Sequence, residues 1–339
     1  MDSTTSNFNI LEILKKFNDL NVLLIGETIL DQYYFVTPKG RASKDPMLST
    51  QYEYDEMYLG GILAPAKHLS NFVNSVDVVT LIGETNSHEE FIRNNVLENE
   101  NGNKINLNLF VKENSPTIVK RRYLEPVRNS KLFKVEFIND EPISKDLEAK
   151  IIDKLDEIIK HKNIDVILVN DFGHGMITEN IIQYLEGCKK YLAINVQTNS
   201  GNYGFNPITK FSKADFLSLN TLELRIIYQN RLKSYEELLD DLIKNHNFDN
   251  VLLTLGKEGC LYCDGTNYYQ DSAITKNTVD TIGAGDATFC LTAIANYLNE
   301  DSKNIPKFAN VIGAIAVGIM GNKESITKDM ILNCMHHKE

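Results

Sequence analysis

The chain has 339 residues, 42% of them hydrophobic and 24% charged, and its 46 acidic side chains against 35 Lys and Arg give a formal charge of −11. Those proportions are globular and exclude a disordered or collagen-like chain, and the length admits about one to three domains, a single large α/β domain among them. The acidic balance also argues against a diffuse nucleic-acid binder, and it leaves room for an anionic small substrate only where cations and backbone N–H groups gather locally.

Residues 1–7, Met-Asp-Ser-Thr-Thr-Ser-Asn, have neither the basic nor the apolar region of a signal peptide. The longest apolar run, 311–321, is too short to span a bilayer, so a cytoplasmic protein with no membrane partner is expected. Continuous apolar runs at 22–25, 76–82, 166–169, 192–194, 216–219 and 251–255 predict buried parallel strands, the first closed by Gly26. Amphipathic stretches at 62–73, 87–98, 144–160, 178–187, 221–228 and 234–246 predict helices between them; Ile151, Ile152, Leu155, Ile158 and Ile159 recur at helical spacing. Such alternation implies a parallel sheet covered on both faces. Residues 32–58 and 117–137 break the rhythm. They are rich in Tyr, Phe, Val and Thr and have no crossover helix between their strands, which predicts a small second sheet projecting from the main one. Two apolar helices, 284–298 and 304–320, close the pattern.

The five cysteines, Cys188, Cys260, Cys263, Cys290 and Cys334, are an odd number spread through a long chain and form no disulfide framework. Cys260 and Cys263 have redox or zinc spacing, but no second pair accompanies them. Their stretch, 259–265, is β-like, and they read as ordinary strand residues.

The segment richest in chemistry is Asp280-Thr281-Ile282-Gly283-Ala284-Gly285-Asp286-Ala287-Thr288-Phe289. Two glycines separated by one small residue precede an apolar helix. Helix N-termini present unpaired N–H groups and a partial positive charge, and glycine lets a backbone approach an anion closely. The residues alone leave two readings open: a phosphate site, or a plain helix cap with Asp286 as a first-turn acid.

Asp280-Thr-Ile-Gly-Ala-Gly-Asp286 resembles the Asp-Thr-x-Gly-Ala-Gly-Asp signature of the ribokinase-like (PfkB) carbohydrate kinases. The resemblance spans about residues 20–335. It implies a ribokinase-like Rossmann-type α/β sandwich, one kinase domain over 1–339, with 32–58 and 117–137 as a small β-sheet lid. It implies Asp286 as catalytic base and Gly283, Ala284 and Gly285 as an anion hole for the transferring phosphoryl group, chemistry that needs mainly alignment and charge neutralisation. It further implies ATP and Mg²⁺. Gly60-Gly61 is similar to the signature against which the sugar lies, although Ile62-Leu63-Ala64-Pro65 stands where the family continues Ala-x-Asn. Asn220-Thr-Leu-Glu223 resembles the Asn-x-x-Glu motif that supports Mg²⁺ and phosphate through water, and taken alone it is an N-cap and a first-turn acid. Thr254, Gly256 and Gly259 resemble the nucleotide segment Thr-x-Gly-x-x-Gly, and Asn310 lies on a helix similar to the one beside the adenine.

Residues 24–33 lean toward the bacterial heptose-phosphate kinase branch, which phosphorylates the anomeric position of a heptose 7-phosphate. Asp31 matches its sugar-hydroxyl ligand, while Glu27 stands where an Asp is usual. Arg41, Lys44, Arg122 and Arg128 are candidates for a sugar phosphate, since guanidinium binds phosphate bidentately; solvated surface charge is the competing reading. Two lysines of the branch are replaced here, by His174 in Asp171-Phe-Gly-His-Gly175 and by Gln197 in Asn195-Val-Gln197. His174 reads as a hydrogen-bonding group rather than a metal ligand. A homodimer through the lid is expected from its strand edges, and a nucleotidyltransferase step is expected from a separate protein. The alternatives are a kinase of an unphosphorylated sugar or nucleoside, and a non-catalytic sugar- or nucleotide-binding homologue.

Overall fold

The structure, a computed structural model, describes residues 10–97, 104–274 and 278–336. Helix α1 (Ile10–Phe17) leads into β1 (Asn21–Gly26). The chain passes through Glu27 into β2 (Thr28–Arg41), which returns as β3 (Leu48–Gly61). There follow α2 (Leu63–Ser70), β4 (Ser75–Thr85), α3 (Glu89–Leu97) and β5 (Ile105–Pro116), then a hairpin of β6 (Ile118–Glu125) and β7 (Ser130–Phe137). Next come α4 (Lys145–His161), β8 (Val166–Asp171), α5 (Glu179–Gly187), β9 (Tyr191–Val196), β10 (Lys213–Asn220), α6 (Thr221–Tyr228), α7 (Tyr235–Asn245) and β11 (Asn247–Thr254). An antiparallel pair, β12 (Cys260–Cys263) and β13 (Tyr268–Asp271), precedes α8 (Ala284–Tyr297), α9 (Ile305–Ala316) and α10 (Lys328–His336).

Nine strands form the main sheet in the order β13-β12-β11-β10-β9-β8-β1-β4-β5, with β12 antiparallel to both its neighbours, β11 and β13, and every other pair parallel. All six apolar runs predicted as strands lie in it. Alternate side chains of one strand enter opposite cores, as strand geometry requires. Val22 and Leu24 pack with α1, α2, α8 and α9, and Leu23 and Ile25 with α4, α5 and α7. Helix α4 follows its periodicity: the Ser144 side chain accepts from Leu147 N, Ile151, Leu155 and Ile158 are buried, and Ile152 and Ile159 pack at the margin.

The segments that break the rhythm form a four-stranded second sheet, β3-β2-β6-β7, in which two antiparallel hairpins are joined by the parallel pair β2·β6. Its strands run beyond the predicted bounds on the main-sheet side, because β2 begins one residue after β1 ends. Strand β5, on the edge of the main sheet, has no sequence counterpart in the prediction; its burial is mixed, which blunts the apolar signal. The helix expected over 304–320 stops at Ala316. Val317 O turns to receive the N–H groups of Val279 and Asp280 and no longer serves a helix. The predicted helix 87–98 has its last position outside the described residues, as do residues 1–7. Cys260 and Cys263 are buried, free thiols three apart on one strand, so they face opposite sides and cannot share a ligand. No helix among the described residues is long and apolar enough to cross a membrane.

Candidate functional site

The N-terminus of α8 opens into a cavity of about 300 Å³ between the two sheets. Gly283 caps the helix with φ 77°, and a Cβ there would lie 2.1 Å from Oδ1 of Asn322, so the turn requires glycine. The N–H groups of Gly283, Gly285 and Asp286 make no hydrogen bond among the described residues. That of Ala284 is directed at Thr281 O, 3.4 Å away, and its methyl packs against the core, so Ala284 adds less to an anion site than the expected trio implies.

Asp286 stands in the first turn of α8, nearly buried, at the cavity wall. Its Oδ1 accepts from Gln197 Nε2 at 2.5 Å and from Asn170 Nδ2 at 3.1 Å. Its Oδ2 accepts no hydrogen bond among the described residues. Burial pushes its pKa up to about 7; the charge of Asp31 adds to the rise, and the amides of Gln197 and Asn170 and the Lys120 ammonium oppose it.

On one side of Asp286 the cavity is walled by the second sheet. Asp31 accepts from Arg122 Nη1 at 2.5 Å and from Asn322 Nδ2 at 3.2 Å. Gly60 makes room for it, since a Cβ there would sit 2.2 Å from Oδ2 of Asp31. Gly61 and Lys120 line the same wall. On the other side stand Asn220, Glu223 and Thr254, at the ends of β10 and β11 and the start of α6. Asn220 and Glu223 form a capping box. Asn220 Oδ1 accepts from Glu223 N, Glu223 Oε2 accepts from Asn220 N, and Glu223 Oε1 accepts from Thr198 N at 3.1 Å. Burial raises the pKa of Glu223 against these N–H donors. The cap reading therefore holds, and the same pair borders the cavity.

Several expected residues lie elsewhere. Arg41, Lys44 and Arg128 are exposed at the far ends of the two hairpins and line no part of the cavity. Asn310 Nδ2 donates to Asp271 and to Ser272 O, and a Cβ at Gly259 would strike Asp271 O at 2.1 Å; both serve the packing of β13. Gly256 has φ 61° in the turn after β11 and does not reach the cavity. Glu27 is buried behind the wall, where its carboxylate accepts from the N–H groups of Phe172, His174 and Met176. His174 is hydrogen-bonded through Nδ1 to Asp140 at 2.6 Å, away from the cavity. Sequence reasoning did not single out Lys120 or Asn322, nor Asn170 as a partner of Asp286. Lys120 had a signal, as one of three consecutive basic residues on a predicted strand.

Asp280 ties the second sheet to the entry of the turn. Its Oδ1 accepts from Lys131 Nζ at 2.7 Å and from Ile282 N at 3.2 Å, and its Oδ2 from the Tyr33 hydroxyl and Gly321 N, each at 3.3 Å. Burial alone would raise its pKa, but Lys131 and the turn N–H groups hold it below the usual carboxylate range. No three His, Cys, Asp or Glu side chains converge on a metal position among the described residues.

A family model described as pfkB family carbohydrate kinase matches residues 20–329. The chain is 23% identical to the bifunctional protein HldE of Helicobacter pylori (strain Shi470), over 94% of this chain and 67% of that protein. It is 24% identical to HldE of Aliarcobacter butzleri (strain RM4018), over 89% of this chain and 62% of that protein. It therefore spans about two thirds of the length of these relatives. Among solved structures, Arabidopsis thaliana ribokinase complexed with ribose and ATP superposes with a TM-score of 0.68 at 18% identity, covering 94% of this chain and 99% of that one. Phosphofructokinase-2 from Escherichia coli in complex with potassium gives 0.71 at 13% identity, covering 95% and 99%. These likenesses show a ribokinase-like α/β fold.

Proposed function

Since the chain belongs to the pfkB family of carbohydrate kinases, and is thereby an ATP-dependent sugar phosphotransferase, we propose that Asp286 takes the proton of a sugar hydroxyl as the γ-phosphoryl group of ATP passes to it. The observation that carries this reading is a carboxylate held on one side only, beside unpartnered N–H groups at the same helix start. Oδ2 of Asp286 is left for the acceptor hydroxyl. The N–H groups of Gly283, Gly285 and Asp286 receive the charge on the moving group.

In this reading the sugar lies against Asp31, Gly60 and Gly61, and ATP enters past Asn220 and Thr254. Magnesium keeps several waters and takes few protein ligands, so a single anchored carboxylate at the cavity edge fits it. Glu223, with Asn220, would hold the ion through water, and when bound it would neutralise phosphate charge. The second sheet closes over the acceptor and excludes water that would otherwise take the phosphoryl group.

The acceptor in this proposal is the anomeric hydroxyl of a heptose 7-phosphate-like sugar. Its support is the resemblance of residues 24–33 to heptose-phosphate kinases and the similarity to HldE proteins. The position of Arg41, Lys44 and Arg128 outside the cavity favours a second reading, an unphosphorylated sugar or nucleoside. A screen of sugars and sugar phosphates with ATP and Mg²⁺, followed by phosphorus NMR, reports the acceptor and the phosphorylated position together. ATP left intact with every acceptor would instead favour a non-catalytic homologue.

We also propose a homodimer through the second sheet. Its outer face carries Tyr123 in ring contact with Tyr34 and Phe133, and Arg121 over the rings of Tyr34 and Phe137, and Phe133 and Phe137 are exposed. A monomer in light scattering at micromolar concentration would end this proposal.

A further inference from the structure

Lys120 is the third residue of β6 and lines the cavity wall shared with Asp31 and Gly61. In register it stands opposite Asp31 of β2 and Glu136 of β7. Either carboxylate would be an ordinary cross-strand partner for an ammonium. Both are engaged elsewhere. Asp31 accepts from Arg122 and Asn322, and Glu136 accepts from Lys134 at 2.8 Å. The neighbouring cations are likewise paired, Lys131 with Asp280 and Lys323 with Glu56. Among the described residues that line the cavity, Lys120 is the one cationic side chain with neither a hydrogen bond nor an ion pair. Burial pulls its pKa below the ordinary lysine value. The nearby charges of Glu136 and Asp31 oppose that fall without bonding the ammonium, and a partly desolvated ammonium with no directly bonded counter-ion gains when an anion docks on it.

The position of Lys120 selects which anion. The transferring phosphoryl group is served by the free N–H groups at the start of α8, and the nucleotide side of the cavity belongs to β10, β11 and α6. Lys120 belongs to the opposite wall, with the residues that face the acceptor. Resting on the kinase reading above, we infer that Lys120 is a specificity-determining residue that binds a phosphate-ester substituent already present on the acceptor sugar.

Calorimetric titration tests this with matched probes: fructose 6-phosphate and fructose, mannose 6-phosphate and mannose, sedoheptulose 7-phosphate and sedoheptulose, and ATP with Mg²⁺. Wild type is expected to bind at least one phosphosugar about tenfold or more tightly than its dephosphorylated partner. Lys120→Met should erase that difference and leave ATP affinity unchanged, and Lys120→Arg should keep most of it. The assignment is overturned if Lys120→Met binds the phosphosugar as wild type does, if it weakens ATP and phosphosugar equally, or if wild type never prefers a phosphosugar. Turnover of ATP with a neutral sugar would leave the kinase reading standing when Lys120 falls. Binding of ATP without turnover on any acceptor would remove the kinase reading itself.

Discussion

Nε2 of Gln197 lies 2.5 Å from Oδ1 of Asp286, an oxygen that also accepts from Asn170 Nδ2. Gln197 is steadied in turn: its Nε2 also donates to Asn195 Oδ1 at 3.2 Å, and Asn195 Nδ2 donates to Ser218 O at 2.9 Å. Two neutral amides thus fix one oxygen of the carboxylate. Dipoles, not a formal cation, orient the group, and its pKa is governed chiefly by burial.

Asp286→Asn keeps the shape and removes the proton acceptor, so turnover is expected to fall by about 10²-fold or more while unfolding stays cooperative. The same variant reports on stability. A carboxyl whose pKa is higher folded than unfolded binds its proton preferentially in the fold, so its contribution is complete below the unfolded value and is lost as pH rises through about 7. At about pH 8 the variant should melt above wild type, by an amount on the order of a few kcal/mol at most, and at about pH 4 the two should converge. Retained turnover, or equal melting at the higher pH, contradicts the assignment.

Activity should climb with pH through a midpoint near 7, because Asp286 accepts a proton only when ionised. Gln197→Leu removes a donor to the ionised form and should move that limb upward. Gln197→Lys places a cation beside it and should move the limb downward. The pH dependence of kcat/KM in the three proteins decides the matter; a limb that stays in place would assign the titration to another group.

The two glycines of the turn should respond differently. Gly283→Ala forces a Cβ into a left-handed position already filled by Asn322, and is expected to lower both turnover and stability, the latter by roughly 1–3 kcal/mol. A Cβ at Gly285 meets nothing within 4 Å. Gly285→Ala should therefore melt within about 0.5 kcal/mol of wild type yet lose turnover, because its methyl group enters the space beside the free N–H groups. Thermal melts paired with assays separate the two cases.

Lys131→Met removes the cation that joins the second sheet to the entry of the turn. Lys131 is 45% exposed and Asp280 2%, so the loss falls on a buried carboxylate that retains its N–H donors and the Tyr33 hydroxyl. The expected result is a raised KM for the acceptor with KM for ATP little changed, since Lys131 belongs to the acceptor-side sheet. Equal changes in both constants would mean that the pair is merely structural.

The main sheet can be read from sequence because its inner strands are unbroken apolar runs, and the turn because its chemistry is contiguous from Asp280 to Asp286. The acceptor wall cannot be read that way. Lys120 joins Asp31 only through the parallel pairing of β2 with β6, and Asn322 reaches Gly283 only because the chain leaves α9 at Ala316. Arg41, Lys44 and Arg128 show the converse: the residue types of a phosphate site occur at exposed hairpin ends that line no part of the cavity. Gly259 matches a nucleotide motif in spacing and Asn310 lies on a helix similar to the one beside the adenine, while their neighbours turn both to β13.

The parallel seam between β2 and β6 also bears on how the molecule assembles. Each hairpin, β2 with β3 and β6 with β7, closes over a short loop, but Arg122 must find Asp31 at a sequence separation of 91. Loop-closure entropy delays such long-range contacts. Pulse-labelled hydrogen exchange during refolding should therefore find the amides of that seam protected after those of either hairpin turn, and the nascent chain would acquire its acceptor wall late.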